Sequence, residues 1–363
     1  MHTLSLQRIL GRGAMGTTYA AEFGPPNGDV TVRAVKVMKS AGTDRVGFRE
    51  RLLEQGRRLT AASVARVAGV EDVIEVGKLD AVVSTLVDGV DVSSIVAADP
   101  MPPRACAEFG AQLAQRLADL HGARPTPLAH RDLKPANVLV TPQGDVWLVD
   151  FGVARAAYAN REDRTQGLVL GTLNYFPPEV LAGGSPDLRV DLYGLGILLL
   201  ELASGQDWGP PLVHRDRFDR RVSQRLAALP PDRTSLAGPL RTLLQWDPAD
   251  RRTAASVAGV LRALATGLDG PALPEWAAHA VPEIRASRRK PRPDDLVGRQ
   301  FEVAVSEPDV PAVVPIAPVA VRAGAGSRAL LIGVVAVLVG MAGATAAIAA
   351  LAVLGIAVYI ALG

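Results

Sequence analysis

The sequence predicts an α+β fold in which a small, mostly β unit comes first and a larger, mostly helical unit follows. Residues 4–40 alternate short apolar runs with glycine turns, which is the pattern of a small antiparallel sheet. In residues 104–121 apolar side chains recur at helical spacing, and residues 189–204 are typical of a buried helix. A long apolar stretch ends the chain. We therefore expect two structural units followed by a hydrophobic tail.

Composition excludes several classes of protein. The 363 residues carry 39 Lys and Arg against 37 Asp and Glu, a balance that does not favour a nucleic-acid partner. The single cysteine, Cys106, excludes an intramolecular disulfide framework, and the five histidines show no zinc-ligand spacing. Cys106 lies on the apolar face of its helix, so we expect it in the core. His121 shows no partner pattern and is expected at the surface or as a helix cap.

The C-terminal residues 329–363 are uncharged and nearly all apolar. Since a bilayer core needs only about 20 helical residues, this segment predicts a membrane anchor, either one tilted span or a hairpin turning near Gly340 and Gly343. A buried helix of a soluble domain is the alternative. Basic residues lie only on its N-terminal side, so the positive-inside rule places the preceding part in the cytoplasm, at the inner cell membrane.

The residues between Gly270 and Ser327 are rich in proline, valine and arginine without sustained periodicity. That composition is typical of a linker. We expect regular structure to lapse there.

Two short motifs in the β unit suggest a phosphate site. The loop Gly11-Arg12-Gly13-Ala14-Met15-Gly16 would let a strand-turn-strand unit fold closely over phosphates, although glycine triplets also serve ordinary turns. Lys36 follows in a strand-like run, where a lone lysine is more often a solvated side chain.

A third motif decides between these alternatives. It is His130-Arg131-Asp132-Leu133-Lys134-Pro135-Ala136-Asn137, followed by a short strand and Asp150-Phe151-Gly152. Phosphoryl transfer needs a carboxylate beside the attacking hydroxyl, Mg²⁺ ligands and a cation on the triphosphate. Asp132, then Asn137 with Asp150, and Lys36 supply these groups in turn.

On these motifs, residues 4–265 resemble a protein kinase domain, close to the bacterial transmembrane serine/threonine kinases. The resemblance implies a two-lobed fold, with a β-rich N-lobe (4–88) and a larger helical C-lobe (89–265), then a juxtamembrane linker (266–328) and the anchor as a transmembrane helix (329–363). It also implies ATP and Mg²⁺ as cofactors, protein substrates, autophosphorylation and signalling at a membrane, and it allows a homodimer.

The resemblance also implies a role for each site residue. Asp132 is the catalytic base, Lys36 holds the α and β phosphates, and Asn137 and Asp150 ligate magnesium. Lys134 is counted with Asp132 and Lys36 among the catalytic residues. The remaining predicted nucleotide-site residues are Leu10, Gly11, Gly13, Gly16, Thr18, Ala34, Glu54, Ser84, Thr85, Val87 and Leu139. Glu50 and Glu54 both lie on the helix after Lys36, and spacing favours Glu54 as its partner. The small Ser84 predicts an open pocket behind the adenine.

Lys134, two residues beyond Asp132, is the signature of serine/threonine rather than tyrosine kinases. Two alternatives are a pseudokinase scaffold and a small-molecule kinase. The retained Lys36, Asp132, Asn137 and Asp150 argue against a pseudokinase. The segment 152–179, which resembles the activation segment of protein kinases, argues against a small-molecule kinase. Within that segment we predict that Thr165 is phosphorylated and docks on Arg131.

Four further residues resemble the structural residues of kinases. Thr172 is expected to contact the catalytic loop and Asp191 to brace it. Glu179 is expected to pair with Arg251.

Overall fold

The computed structural model describes residues 1–26, 28–39, 45–98, 100–151, 173–288, 292 and 294–305. All of them belong to one unit, Met1–Glu307.

A six-stranded antiparallel sheet forms the N-terminal lobe, in the strand order β4-β5-β3-β2-β1-β9. Alternate residues such as Leu4, Leu6, Tyr19 and Val35 are buried on one face of it, as the period of two in a strand requires. The small antiparallel sheet predicted for residues 4–40 is therefore present. The strands are β1 (His2–Arg12), β2 (Gly16–Gly24), β3 (Thr31–Met38), β4 (Val70–Val76), β5 (Leu79–Thr85) and β9 (Gln300–Val303).

One helix, α1 (Arg45–Ala62), packs on β4 of this sheet. Its buried stripe consists of Leu52, Gln55, Gly56 and Leu59, at the i, i+3, i+4, i+7 spacing of one helix face. A Cβ on Gly56 would lie 2.2 Å from the carbonyl oxygen of Val70. Because only glycine allows so close an approach, Gly56 fixes which face of α1 meets the sheet.

The C-terminal lobe is helical and is built around α3 and α5. Cys106 is fully buried in α3, and burial raises the pKa of its thiol to about 12, so the prediction of a core cysteine is confirmed. The helices are α2 (Val92–Ala98), α3 (Pro103–His121), α4 (Pro178–Leu181), α5 (Arg189–Ser204), α6 (Arg215–Ala227), α7 (Ala237–Leu243), α8 (Ala254–Ala265) and α9 (Leu273–Ser287).

A small three-stranded sheet, β6-β7-β8, joins the lobes at the cleft. Its strands are β6 (Val90–Asp91), β7 (Val138–Val140) and β8 (Val146–Leu148). Backbone hydrogen bonds connect Leu148 to Arg66 and Ala68, which precede β4. The sheet therefore anchors the residues on either side of it, 130–137 and 149–151, to both lobes.

The expected loss of structure between Gly270 and Ser327 is wrong for residues 273–287 and 300–303, which form α9 and β9. Leu273, Ala277, Val281 and Ile284 of α9 are buried in the C-lobe core. Val303 is buried in the N-lobe core. The apolar face of α9 recurs at helical spacing, but Pro282 within it and the surrounding arginines gave the stretch the composition of a linker.

The predicted membrane anchor, residues 329–363, lies outside the described residues. Among the helices that the structure describes, none is both long enough and apolar enough to cross a bilayer.

Glu201 is a carboxylic acid buried in the middle of the C-lobe. Its carboxylate accepts hydrogen bonds from the backbone N–H of Trp208 (2.8 Å) and the hydroxyl of Tyr175 (3.2 Å). Burial raises the pKa of Glu201 from its usual 4.5 to about 7, because the charged form loses its hydration. The native protein therefore holds a proton here that the unfolded chain releases between pH 4.5 and 7.

Between those pH values, Glu201 should lower the free energy of unfolding as pH rises, by at most about 1.4 kcal/mol per pH unit. We expect Glu201→Gln to remove this component, so that its stability declines less between pH 5 and 7 than that of the unchanged protein. Urea unfolding at several pH values measures the difference. Glu283→Gln, at an exposed glutamate, is the matched control. Parallel curves for Glu201→Gln and the unchanged protein would contradict a raised pKa.

Candidate active site

The two lobes enclose a cleft of about 2250 Å³. The glycine loop, residues 11–16, lines one side, and the loop that precedes β7 lines the other. Every residue predicted for the nucleotide and catalytic sites lines this cleft: Leu10, Gly11, Gly13, Gly16, Thr18, Ala34, Lys36, Glu54, Ser84, Thr85, Val87, Asp132, Lys134, Asn137, Leu139 and Asp150. Residues up to about 140 positions apart in the sequence thus meet at one site.

The glycine loop connects β1 to β2 as a tight turn. The N–H of Gly13 donates to the carbonyl of Gly16 over 2.9 Å. A Cβ on Gly16 would lie 2.3 Å from the carbonyl oxygen of Val37, so glycine is required there for β2 to lie against β3. Gly11 meets no such obstacle.

Lys36 forms an ion pair across the cleft. Its Nζ lies 2.6 Å from Oδ2 of Asp150, and the lysine side chain is only 11% exposed. Lys36 comes from β3 of the N-lobe, whereas Asp150 follows β8. The contact therefore brings the predicted phosphate-binding cation to the predicted magnesium ligand.

The predicted pairing of Lys36 with Glu54 does not occur among the described residues. Glu54 lies on the exposed side of α1, where its carboxylate binds Arg58 (2.8 Å) and Arg57 (3.4 Å). The Arg58 guanidinium, as its main partner, holds the pKa of Glu54 below its usual value. The residue on the buried face is Gln55.

Helix packing explains this correction. Gln55 lies on the same face as Gly56, whose backbone abuts β4, and both it and Glu54 line the cleft. Pairing Glu54 with Lys36 would require α1 to turn by about one residue, roughly 100°. Sequence reasoning missed Gln55, although its position on the face between Leu52 and Leu59 was the available signal.

The carboxylate of Asp132 is held by two neighbouring side chains. Lys134 Nζ lies 2.8 Å from Oδ2 and 3.1 Å from Oδ1 of Asp132. The Asn137 amide donates to Oδ2 (2.9 Å) and also to the Asp132 carbonyl (2.8 Å). Because each side chain is fixed by the others, the carboxylate has a defined orientation in the cleft.

Asp191 braces the backbone of this loop, as predicted. This fully buried residue of α5 accepts the N–H of His130 at Oδ2 and that of Arg131 at Oδ1, each over 2.8 Å. His121 lies 3.1 Å from the same carboxylate, so the prediction of an unpartnered surface or capping histidine is wrong. The contact joins residues 70 positions apart, so no short sequence pattern predicts it.

Two non-glycine residues of the site adopt positive φ angles, Arg131 (64°) and Asp150 (59°). Such a backbone is unfavourable for residues with a Cβ and persists only where surrounding contacts impose it. The backbone of Arg131 is held by its hydrogen bond to Asp191. The side chain of Asp150 is held by its ion pair with Lys36. The Nε of Arg131 is also buried and has no hydrogen-bond partner within the described ranges.

Asn137 and Asp150 provide a donor set that fits magnesium. Mg²⁺ prefers oxygen ligands and is usually held by one or two protein side chains, substrate phosphates and water. The backbone N–H of Val149 donates to the Asn137 carbonyl over 3.0 Å, which joins the two segments that carry these residues. Across residues 1–305, apart from the undescribed positions, no cluster of three or more His, Cys, Asp or Glu forms a metal site.

Apolar side chains also line the cleft. Leu10 and Ala34 line it from the sheet, Leu139 from β7, and Val87 from the chain that connects the lobes. Ser84 pairs with Ala34 between β5 and β3, and its hydroxyl is 3.5 Å from the Ala34 carbonyl. The adjacent Thr85 directs its hydroxyl to Glu71 instead.

The predicted brace between Glu179 and Arg251 is confirmed. Two nearly parallel hydrogen bonds of 2.7 and 2.8 Å join the guanidinium to the carboxylate. Gly152, Thr165, Gly171 and Thr172 lie outside the described residues, so the predictions for them stay predictions.

Comparison with known proteins agrees with this geometry. Residues 4–259 match the model of the protein kinase domain family. The chain is 34% identical over 282 residues to the serine/threonine-protein kinase PkaA of Streptomyces coelicolor, covering 72% of this chain and 50% of that protein. It is 33% identical over 210 residues to the serine/threonine-protein kinase PknB of Mycobacterium leprae, covering 56% and 32%.

A crystal structure of the Mycobacterium tuberculosis PknI kinase domain matches with a TM-score of 0.52 and 26% identity, covering 72% of this chain and 95% of that one. The curated relatives are longer, and the matched part spans between about a third and a half of their length. The family match covers more than half of this chain and includes the glycine loop, Lys36, Asp132, Asn137 and Asp150. The chain therefore belongs to the protein kinase family.

Proposed function

We propose that this protein is a serine/threonine protein kinase that transfers the γ-phosphoryl group of MgATP to hydroxyl groups of proteins, including its own. The observation that carries the proposal is the Asp132 carboxylate, oriented by Lys134 and Asn137 in a cleft that also holds the Lys36–Asp150 pair. The family match and the names of the relatives support it.

Each side chain has a role that its position permits. Asp132 accepts the proton of the attacking hydroxyl as its oxygen bonds to the γ-phosphorus and ADP leaves. Lys134, 2.8 Å from that carboxylate, places a positive charge where negative charge develops. Lys36 is positioned for the phosphates, and Asn137 and Asp150 would hold Mg²⁺, which neutralises the triphosphate charge when it is bound.

A pseudokinase scaffold would need only nucleotide or partner binding. Such a protein has no need to orient a carboxylate at the position of a general base, yet two side chains hold Asp132 in place. The Lys134 contact also supports serine and threonine as acceptors over tyrosine, as the resemblance implies.

We expect Asp132→Asn and Lys36→Met each to lower the rate of phosphoryl transfer by a factor of about 10² or more, because a general base and phosphate positioning each contribute at least that much. Radiolabelled ATP with a generic basic protein substrate measures the rate. Asp269→Asn and Lys78→Met, at exposed positions, are matched controls with the same side-chain changes. Full activity of either cleft variant would contradict the proposed function.

The size of Ser84 generates a second prediction. A serine beside Ala34 leaves space behind the adenine that a longer side chain would fill, so the unchanged protein should accept ATP analogues with bulky groups on the adenine amine. Ser84→Met should reject these analogues by steric overlap and still use ATP, which is the internal control. Equal rejection by both forms would show that the pocket behind Ser84 is closed.

We also propose that residues 329–363 anchor the kinase at the inner cell membrane with its catalytic part in the cytoplasm. The support is the sequence alone: a long uncharged apolar segment that follows an arginine-rich stretch.

Deletion of residues 329–363 should move the protein from the membrane fraction to the soluble fraction with its phosphoryl-transfer rate retained. Cell fractionation followed by the kinase assay measures both properties. The deletion leaves the cleft intact, because every described residue that lines it precedes the deleted segment. Recovery of the shortened protein in membranes would assign the tethering to another surface.

A further inference from the structure

The C-terminal segment, residues 273–303, connects the two lobes a second time. It lies beyond the matched kinase domain, which ends at residue 259. Helix α9 is buried in the C-lobe core through Leu273 and Val281, and β9 extends the N-lobe sheet by pairing with β1. The usual connection, between β5 and α2, is thus accompanied by a second one.

At its C-lobe end the segment is tied to the chain that links the lobes. Nη1 of Arg288 lies 2.8 Å from Oδ2 of Asp91, and Nη2 of Arg285 lies 2.9 Å from Oδ1 of Asp88. Asp91 also caps the start of α2 by accepting the N–H of Ser94. Arg285 and Arg288 both line the cleft.

At its N-lobe end the segment reaches the glycine loop. Asp294 Oδ2 accepts a hydrogen bond from the hydroxyl of Tyr19 (2.7 Å) and one from the guanidinium of Arg12 (3.2 Å). Arg12 also donates to the carbonyl of Arg292 over 2.9 Å. Arg12 lies within the loop itself, and the buried Tyr19 lies on β2 directly after it, so one carboxylate holds both strands that carry the loop.

The surrounding packing makes this contact specific. Leu296, Val297 and Phe301 pack against the N-lobe core, and Gly298 N–H donates to the carbonyl of Leu6. The Asp294 carboxylate also accepts the N–H of Leu296, which fixes its direction. Burial, followed by the bond to Asp294, raises the pKa of Tyr19 to about 12, so its hydroxyl remains a donor at neutral pH.

We propose that Asp294 is a positioning residue of the kinase reaction: through Arg12 and Tyr19 it holds the glycine loop over the nucleotide phosphates. The residues 273–303 are then part of the catalytic unit rather than a linker. This inference rests on the proposed function, since it assigns Asp294 to the ATP site of that reaction.

The test compares Asp294→Ala with Asp295→Ala in the full chain. Asp295 is the adjacent, exposed aspartate, so the control removes the same charge from the same turn. We expect Asp294→Ala to raise the KM for ATP about threefold to tenfold with kcat changed less than twofold, the size expected for losing a half-exposed ion pair and a hydrogen bond. Asp295→Ala should leave both constants unchanged.

Hydrogen–deuterium exchange provides a readout that needs no activity. Amides of residues 2–20 should exchange faster in Asp294→Ala than in Asp295→Ala, because β1 and β2 lose their shared contact. If Asp294→Ala fails to fold, Asp294→Asn serves instead, since it keeps an acceptor for Tyr19 and removes the charge facing Arg12. Equal KM and equal exchange in the two aspartate variants would overturn the proposal.

These outcomes separate the inference from the proposed function. A protein that transfers no phosphoryl group would contradict the function, and the exchange comparison would still decide whether Asp294 holds the loop. If the protein is active but Asp294→Ala leaves the KM for ATP and the amide exchange equal to those of Asp295→Ala, the inference alone is contradicted.

Discussion

The buried carboxylate of Asp191 forms the contacts on which the geometry of the loop from His130 to Asn137 depends. It accepts two backbone N–H groups, from His130 and Arg131, and so imposes the positive φ angle of Arg131 immediately before Asp132. A carboxylate buried without partners would cost several kcal/mol, so these donors and His121 are what make its burial tolerable. The buried, mostly apolar helix α5 carries Asp191 and thereby supports this loop. The loop geometry is therefore set by the C-lobe core rather than by its own turn residues.

Across the cleft from this loop, the N-lobe contributes residues whose positions depend on how its strands and helix pack. Lys36 is fixed by its strand, and it meets Asp150 through a contact between lobes. Helix α1 is oriented by the approach of Gly56 to Val70, which directs Gln55 inward and leaves Glu54 with Arg57 and Arg58. A reorientation of α1 would break those exposed ion pairs, and it would also have to replace the close contact of Gly56 with Val70. The described arrangement therefore favours the Lys36–Asp150 pair over the pairing with Glu54.

The C-terminal segment extends the compact unit beyond the matched kinase domain, which ends at residue 259. Kinase lobes joined by one connection can move relative to each other, and the glycine loop is the part that such motion displaces. Here α9 packs in the C-lobe and β9 pairs with β1 in the N-lobe. A displacement of one lobe relative to the other would therefore also strain the contacts of Asp294 with Arg12 and Tyr19. Strand β9 also covers the outer edge of β1, which would otherwise present unpaired backbone groups.

The sequence by itself determined the kinase fold and the family, and it predicted the side chains that the structure brings together in the cleft. Those residues lie in short contiguous motifs, such as the run from His130 to Asn137. The identity and spacing of the side chains in such a motif are enough to indicate phosphoryl transfer. The composition of residues 273–303 wrongly predicted a linker, because their prolines and arginines hid the apolar face of one helix and a strand of only four residues. Only the tertiary structure decided that Asp191 meets His121, that Gln55 rather than Glu54 faces inward, and that Asp294 meets Tyr19 across 275 positions. The physical reason is that helix rotation and long-range contacts depend on which surfaces pack together, and a local pattern carries no record of its distant partner.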